Sequence, residues 1–148
     1  MTFDPSAFLD ATTTEAATAW VCPPGEYSPA LIEPGTVELK SWASRDGSKS
    51  GWKLSLKWNI QDPNLLSKAE GRDRIIVKQD VMLETDGSGA PRMDSGFALR
   101  NLREAVGLNA PGKPFSLRML EGQMAKVRVK NVPYNGDVLA EVDAVTRM

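Results

Sequence analysis

From Trp52 to Ile60 the sequence alternates without a break: Trp52, Leu54, Leu56, Trp58 and Ile60 fall on one side of an extended chain, Lys53, Ser55, Lys57 and Asn59 on the other. Such a segment is a half-buried strand, with one face on a core and a wet, cationic face opposite. The stretch before it, Ala43 to Gly51, is dominated by Ser, Gly, Asp, Arg and Lys, which form turns and pair with phosphates but do not build cores. Lys40 to Trp58 as a whole holds three of the four tryptophans and five of the eighteen basic residues. A basic loop beside an aromatic strand end suits a single-stranded nucleic acid; a solvated hairpin with ordinary surface lysines is the competing reading.

The distribution of charge sharpens this. The net charge of −1 hides an asymmetry: residues 1–39 contain six acids and no base, residues 40–78 nine bases and four acids, and the remainder nine of each. A segment at plus five beside an arm at minus six makes a local electrostatic footprint. The chain has no histidine, which removes the commonest general base and metal ligand, and its one cysteine, Cys22, has neither a disulfide partner nor a catalytic one. The spacings of Asp80, Glu84 and Asp86, and of Glu141 and Asp143, match no calcium loop, and Gly87-Ser-Gly lacks the ending of a phosphate loop. The expectation is therefore a binding protein and not an enzyme, with no metal and no cofactor. No apolar run is long enough to span a bilayer, so a soluble protein of the cytoplasm is expected.

At 148 residues the chain is expected to be one domain, long enough to bury roughly two thirds of its unfolded surface. Residues 1–22 have no sustained period and read as an acidic arm whose Phe3 and Phe8 could anchor it; residues 23–148 read as the domain. Glu26 to Trp42 is a long first strand bent at Pro34-Gly35, with Val37 and Leu39 inward and Trp42 outward. Asp62-Pro63-Asn64 ends the second strand, and one helical turn follows. The third strand runs from about Arg74 to Glu84 with Ile75, Val77, Val81 and Leu83 inside; Gln79 falls on the same side, where a polar group is out of place. A helix capped by Asp94 or Ser95 ends at Gly107 and buries Leu99, Leu102 and Val106. A single turn at Ser116 to Gly122 leads to a closing hairpin, Gln123 to Val129 and Val138 to Val145, with Tyr134-Asn135-Gly136 at its tip.

A bent first strand, two more strands, a helix and two closing strands give a mainly β fold in the order of a five-stranded OB-fold-like barrel, with one helix between strands three and four. The ligand surface of that architecture surrounds strands two and three, and here it would carry Lys40, Trp42, Arg45, Lys49, Lys53, Lys57 and Lys78. Arg72, Arg74 and Tyr134 complete the candidate nucleic-acid-binding set.

Three strings, Pro24-Gly25-Glu26-Tyr27, Leu99 to Leu108 and Leu120 to Lys130, carry a resemblance to a family of small phage and prophage proteins found among recombination and replication genes. Members of that family look like single-stranded DNA-binding proteins. The resemblance covers about Val21 to Val145 and implies non-sequence-specific binding to single-stranded DNA, in the host cytoplasm, with recombination or replication proteins as further partners. The chain departs from many such proteins in ending Val-Thr-Arg-Met, without an acidic tail. Self-association is expected as well, because one small OB domain covers few nucleotides. An OB-type protein-binding module and a virion assembly protein are the alternatives, and no group identifies RNA or DNA by its 2′ position.

Overall fold

The computed structural model describes residues 2–15, 17 and 19–148. In chain order the elements are helix α1 (Pro5–Leu9), strands β1 (Gly25–Ile32), β2 (Glu38–Ala43) and β3 (Ser50–Ile60), helix α2 (Pro63–Leu66), strand β4 (Ile76–Leu83), helix α3 (Phe97–Ala105), a 3₁₀ turn (Leu117–Leu120), and strands β5 (Met124–Tyr134) and β6 (Asp137–Thr146). The fold is mainly β, with six strands in one sheet in the order β1-β5-β6-β4-β3-β2. A further pairing of β1 with β3 closes five of them into a ring and leaves β2 outside it. All pairings are antiparallel except the one between β4 and β6, a single parallel register of Lys78 with Glu141.

Alternation builds the interior. Leu54, Leu56, Trp58 and Ile60 of β3 are fully buried, as are Ala125 and Val127 of β5, with Val77 and Val81 of β4 beside them. Helix α3 packs against β4 and β6 and buries Leu99, Leu102 and Ala105; Val106 is only half-buried. Gln79 does lie inside, and its place there has a cause: the Trp58 indole Nε1 donates to its Oε1 at 2.8 Å. Each polar group satisfies the other, so neither is left bare in the core.

Three expectations are corrected. The first strand is two strands, because Pro34 and Gly35, the latter at φ +80°, turn the chain between Ile32 and Glu38. After that turn β2 pairs only with β3, so Leu39, although opposite the buried Leu54, stays 44% exposed with no strand beyond it to cover it. Helix α3 is capped by Gly96 at φ +102°, not by Asp94 or Ser95. Asp94 is engaged by Arg92 at 3.1 Å, and Ser95 Oγ is buried without a hydrogen-bond partner among the described residues. Just before Pro23, Cys22 is buried and Trp20 packs against the core. Burial pushes the Cys22 thiol up to about 11, so at neutral pH it is an inert apolar group.

Asn135 and Gly136, both at positive φ, form the two-residue tip of the β5–β6 hairpin. Among the described residues, no helix is long and apolar enough to cross a membrane.

Candidate nucleic-acid interface

Directly paired residues in a sheet share a face, so the register of β2, β3 and β4 fixes what the outer surface carries. Lys40 stands opposite Lys53, Trp42 opposite Gly51, and Glu38 opposite Ser55. Across the next ladder Lys53 faces Met82, Ser55 faces Asp80, Lys57 faces Lys78, and Asn59 faces Ile76. Five of the expected site residues, Lys40, Trp42, Lys53, Lys57 and Lys78, therefore lie on one face. From Gly51 to Asn59 that face spans about 27 Å at the usual rise of a strand.

Two of its cross-strand pairs, Lys40 with Lys53 and Lys57 with Lys78, set like charges directly opposite each other. Each such pair costs about 0.2–1 kcal/mol unless a counter-charge intervenes. Asp80 supplies part of it: its Oδ2 lies 3.3 Å from both Lys53 Nζ and Lys78 Nζ. Burial raises the Asp80 pKa, but the Lys53 hydrogen bond and the Lys78 charge outweigh it and hold the carboxyl below its ordinary value. Lys40 reaches Glu38 at 3.5 Å. Lys57 has no carboxylate within salt-bridge distance among the described residues.

Trp42 is half-buried. A Cβ built on Gly51 would come within 3.0 Å of the Trp42 Nε1 and 3.3 Å of Cε2 and Cζ2, so the indole lies directly on the glycine backbone. Glycine at 51 is what permits that approach. The Trp42 indole N–H is buried and finds no acceptor among the described residues. Trp52 sits on the opposite face, where it is half-buried at the rim and donates from Nε1 to the Gly89 carbonyl at 2.9 Å.

Arg45 and Lys49 extend the basic surface into the β2–β3 loop, but that loop is organised around an acid. Asp46 Oδ1 accepts from Ser44 Oγ at 2.7 Å and from the backbone N–H and hydroxyl of Ser48 at 3.0 and 2.8 Å. The Ser44 hydroxyl, with the Ser48 backbone and side chain, lowers the Asp46 pKa to about 2. The loop thus presents two arginine and lysine side chains around a fixed carboxylate.

At the other end of the face, Arg72, Arg74, Lys78 and Tyr134 come together around a groove of about 950 Å³ between β4, the β5–β6 hairpin and residues 19–22. Arg74 is tied to Glu33 at 2.8 Å. Arg72 lies over the Trp20 ring, 5.2 Å from its centroid. Trp20 is the residue that sequence reasoning missed. It stood inside a stretch assigned to the arm, although a lone tryptophan just before the Val21-Cys22-Pro23 junction was a signal that the chain packs there. Lys78 joins the groove to the lysine face, and the apolar walls of the groove are Ile76, Val138 and Leu139, all partly exposed.

Among the described residues no three His, Cys, Asp or Glu side chains gather into a group that could hold a metal ion. No protein-family model matches the chain, and no curated protein matches it significantly.

Proposed function

We propose that this chain is a non-sequence-specific single-stranded DNA-binding protein of the five-stranded OB type, acting in phage DNA replication or recombination in the host cytoplasm. The OB assignment draws support from the ring order, the parallel pairing of the third and last ring strands, and the helix between β4 and β5. The phage context rests on the sequence resemblance.

One observation carries the binding reading: two cross-strand lysine pairs on the outer face, with a half-buried tryptophan at one end. A sheet face that sets like charges opposite each other gains from an anion laid across it, and a phosphodiester backbone supplies one charge per nucleotide. Trp42 offers a surface on which a base of any identity can stack, so little sequence preference follows. Binding and not catalysis is the role proposed.

The test is fluorescence anisotropy with a labelled mixed-sequence oligonucleotide, with duplex DNA and RNA of the same sequence as parallel arms. Saturable binding to the single strand at micromolar protein and low salt is expected. If three or four of the lysines meet phosphates, log K falls with log salt at a slope of about −2 to −3. No binding under these conditions overturns the proposal, and salt-independent binding points to a protein-binding module instead.

A further inference from the structure

Strand β2 has an open side along its whole length. It lies outside the ring and pairs with β3 alone, in six consecutive registers without a bulge. Two hydrogen bonds fix which backbone groups face that side. The Ser44 N–H donates to the Lys49 carbonyl at 2.8 Å, one step beyond the β2–β3 ladder, and the Ile60 N–H donates to the Ile75 carbonyl at 2.9 Å on the opposite edge of β3. Bonding alternates along an antiparallel strand, so Glu38, Lys40 and Trp42 bond to β3 while the N–H and C=O of Leu39, Ser41 and Ala43 point away from it. Among the described residues nothing else bonds to those groups.

Sheet edges are usually blunted by a proline, a bulge or an unpaired charge. Strand β2 has neither proline nor bulge, and its one lysine, Lys40, already has Glu38 beside it at 3.5 Å. Leu39, on the inner side of the same edge, is 44% exposed. The edge is regular and locally neutral, and it carries an apolar side chain without a cover.

The sequence of the edge also selects what can complete it. Two copies that meet antiparallel through these groups have three registers that overlap most of the strand. Centred on Lys40, the pairing sets Lys40 against Lys40; centred on Ser41, it sets Lys40 opposite Trp42 and Leu39 opposite Ala43. Centred on Leu39, it sets Glu38 opposite Lys40 on both sides of the axis, in the non-hydrogen-bonded pairing where side chains come closest, and Leu39 on Leu39. Of the three registers, the last alone pairs opposite charges.

We propose that two copies of this chain join β2 to β2 across a two-fold axis at Leu39, with Glu38 of each copy on Lys40 of the other. Each Lys40, which confronts Lys53 within its own chain, thereby gains a second carboxylate. The outer faces of the two copies become one continuous surface that carries both sets of lysines.

The experiment needs no nucleic acid, so its outcome is independent of the DNA-binding proposal. A seam this short belongs to the weak end of protein interfaces, so sedimentation velocity on the full chain is run from tens to hundreds of micromolar, where the mass is expected to rise from monomer to dimer. Over that range, amide exchange followed by NMR is expected to slow at Leu39 and Ser41. It stays unchanged at Lys40 and Trp42, already bonded to β3, and at Ala43, which falls across from the Pro34-Gly35 turn. Glu38→Lys and Lys40→Glu, each checked for folding by its melting temperature, are expected to be monomeric alone and to associate when mixed. The double variant, which keeps the native net charge, is expected to self-associate again. A native chain that stays monomeric at hundreds of micromolar overturns the proposal, as does a double variant that stays monomeric. Association that leaves exchange at Leu39 and Ser41 unchanged uses another surface and overturns it too. Slowing at Ala43 equal to that at Leu39 would mark the Ser41-centred register and overturn the one assigned.

Discussion

The inner and outer faces of β3 are made from alternating residues of one short segment, yet the chain completes only one of them. On the inner face every group finds a partner within the fold, down to the Trp58 indole and the Gln79 amide that would otherwise be bare in the core. On the outer face two lysine pairs confront each other, with Asp80 reaching Lys53 and Lys78 and Glu38 reaching Lys40 at the rim, and the Trp42 indole N–H finds no acceptor among the described residues. Burial forces the first arrangement, since an unpaired polar group costs most where water is absent. The lysines of the second are tolerable because their ammonium groups are solvated, whereas the buried Trp42 N–H is an uncompensated cost, and the lysine face is the kind of surface that an anionic ligand completes.

The largest test of this contrast is Trp58→Ala, expected to cost about 3–5 kcal/mol through cavity formation and to leave the Gln79 amide without its donor. Urea unfolding measures it. Gln79→Ala is expected to cost about 1–3 kcal/mol by orphaning the indole N–H, with no direct effect on DNA affinity. On the outer face the signs separate. Trp42→Ala should weaken DNA binding by about 1–3 kcal/mol while costing the fold about 1 kcal/mol or less, the worth of a cross-strand contact over Gly51. Trp42→Ala melting the protein while Trp58→Ala spares it would mean that the two faces have been exchanged. Lys57→Ala should leave stability level or slightly higher, since it removes a like-charge pair, and should flatten the salt slope by about 0.7 per lost phosphate contact.

The smallest expected effect belongs to Asp46. Its folded pKa is depressed from 3.8 to about 2, so the order it gives the β2–β3 loop is full above the ordinary value and is lost as pH falls through that window. Thermal melts across the window should show a shallow acid limb that Asp46→Asn removes.

The parts of this molecule legible in the sequence are those in which local pattern and burial agree. The alternation of β3 placed Trp58 inside, the parity of Val37 and Leu39 placed Trp42 outside, and the Asn135-Gly136 turn placed the last hairpin, because period and turn chemistry are properties of neighbouring residues. What could not be read depended on distant partners. Leu39 has the parity of a core residue, but its cover would have to come from a strand that is not there. Gln79 looked like a flaw until Trp58, twenty-one positions away, supplied its partner. Among the site residues, Lys40, Trp42, Lys53, Lys57 and Lys78 could be assembled from parity alone. That Arg72, Arg74 and Tyr134 share a groove with Trp20 depends on how the ring closes.

That closure has a mechanical consequence. Long antiparallel ladders join β3 to β4 and β5 to β6, but β4 and β6, though packed side by side, share a single ladder register, Lys78 with Glu141. The ring therefore behaves as a curled ribbon fastened by one clasp. Opening the clasp breaks little ladder pairing but must also loosen helix α3, which packs on both strands, and an opened clasp exposes two strand edges and widens the groove beside it. Since Lys78 belongs to both the clasp and the basic face, whatever neutralises that lysine also adjusts how readily the ribbon uncurls.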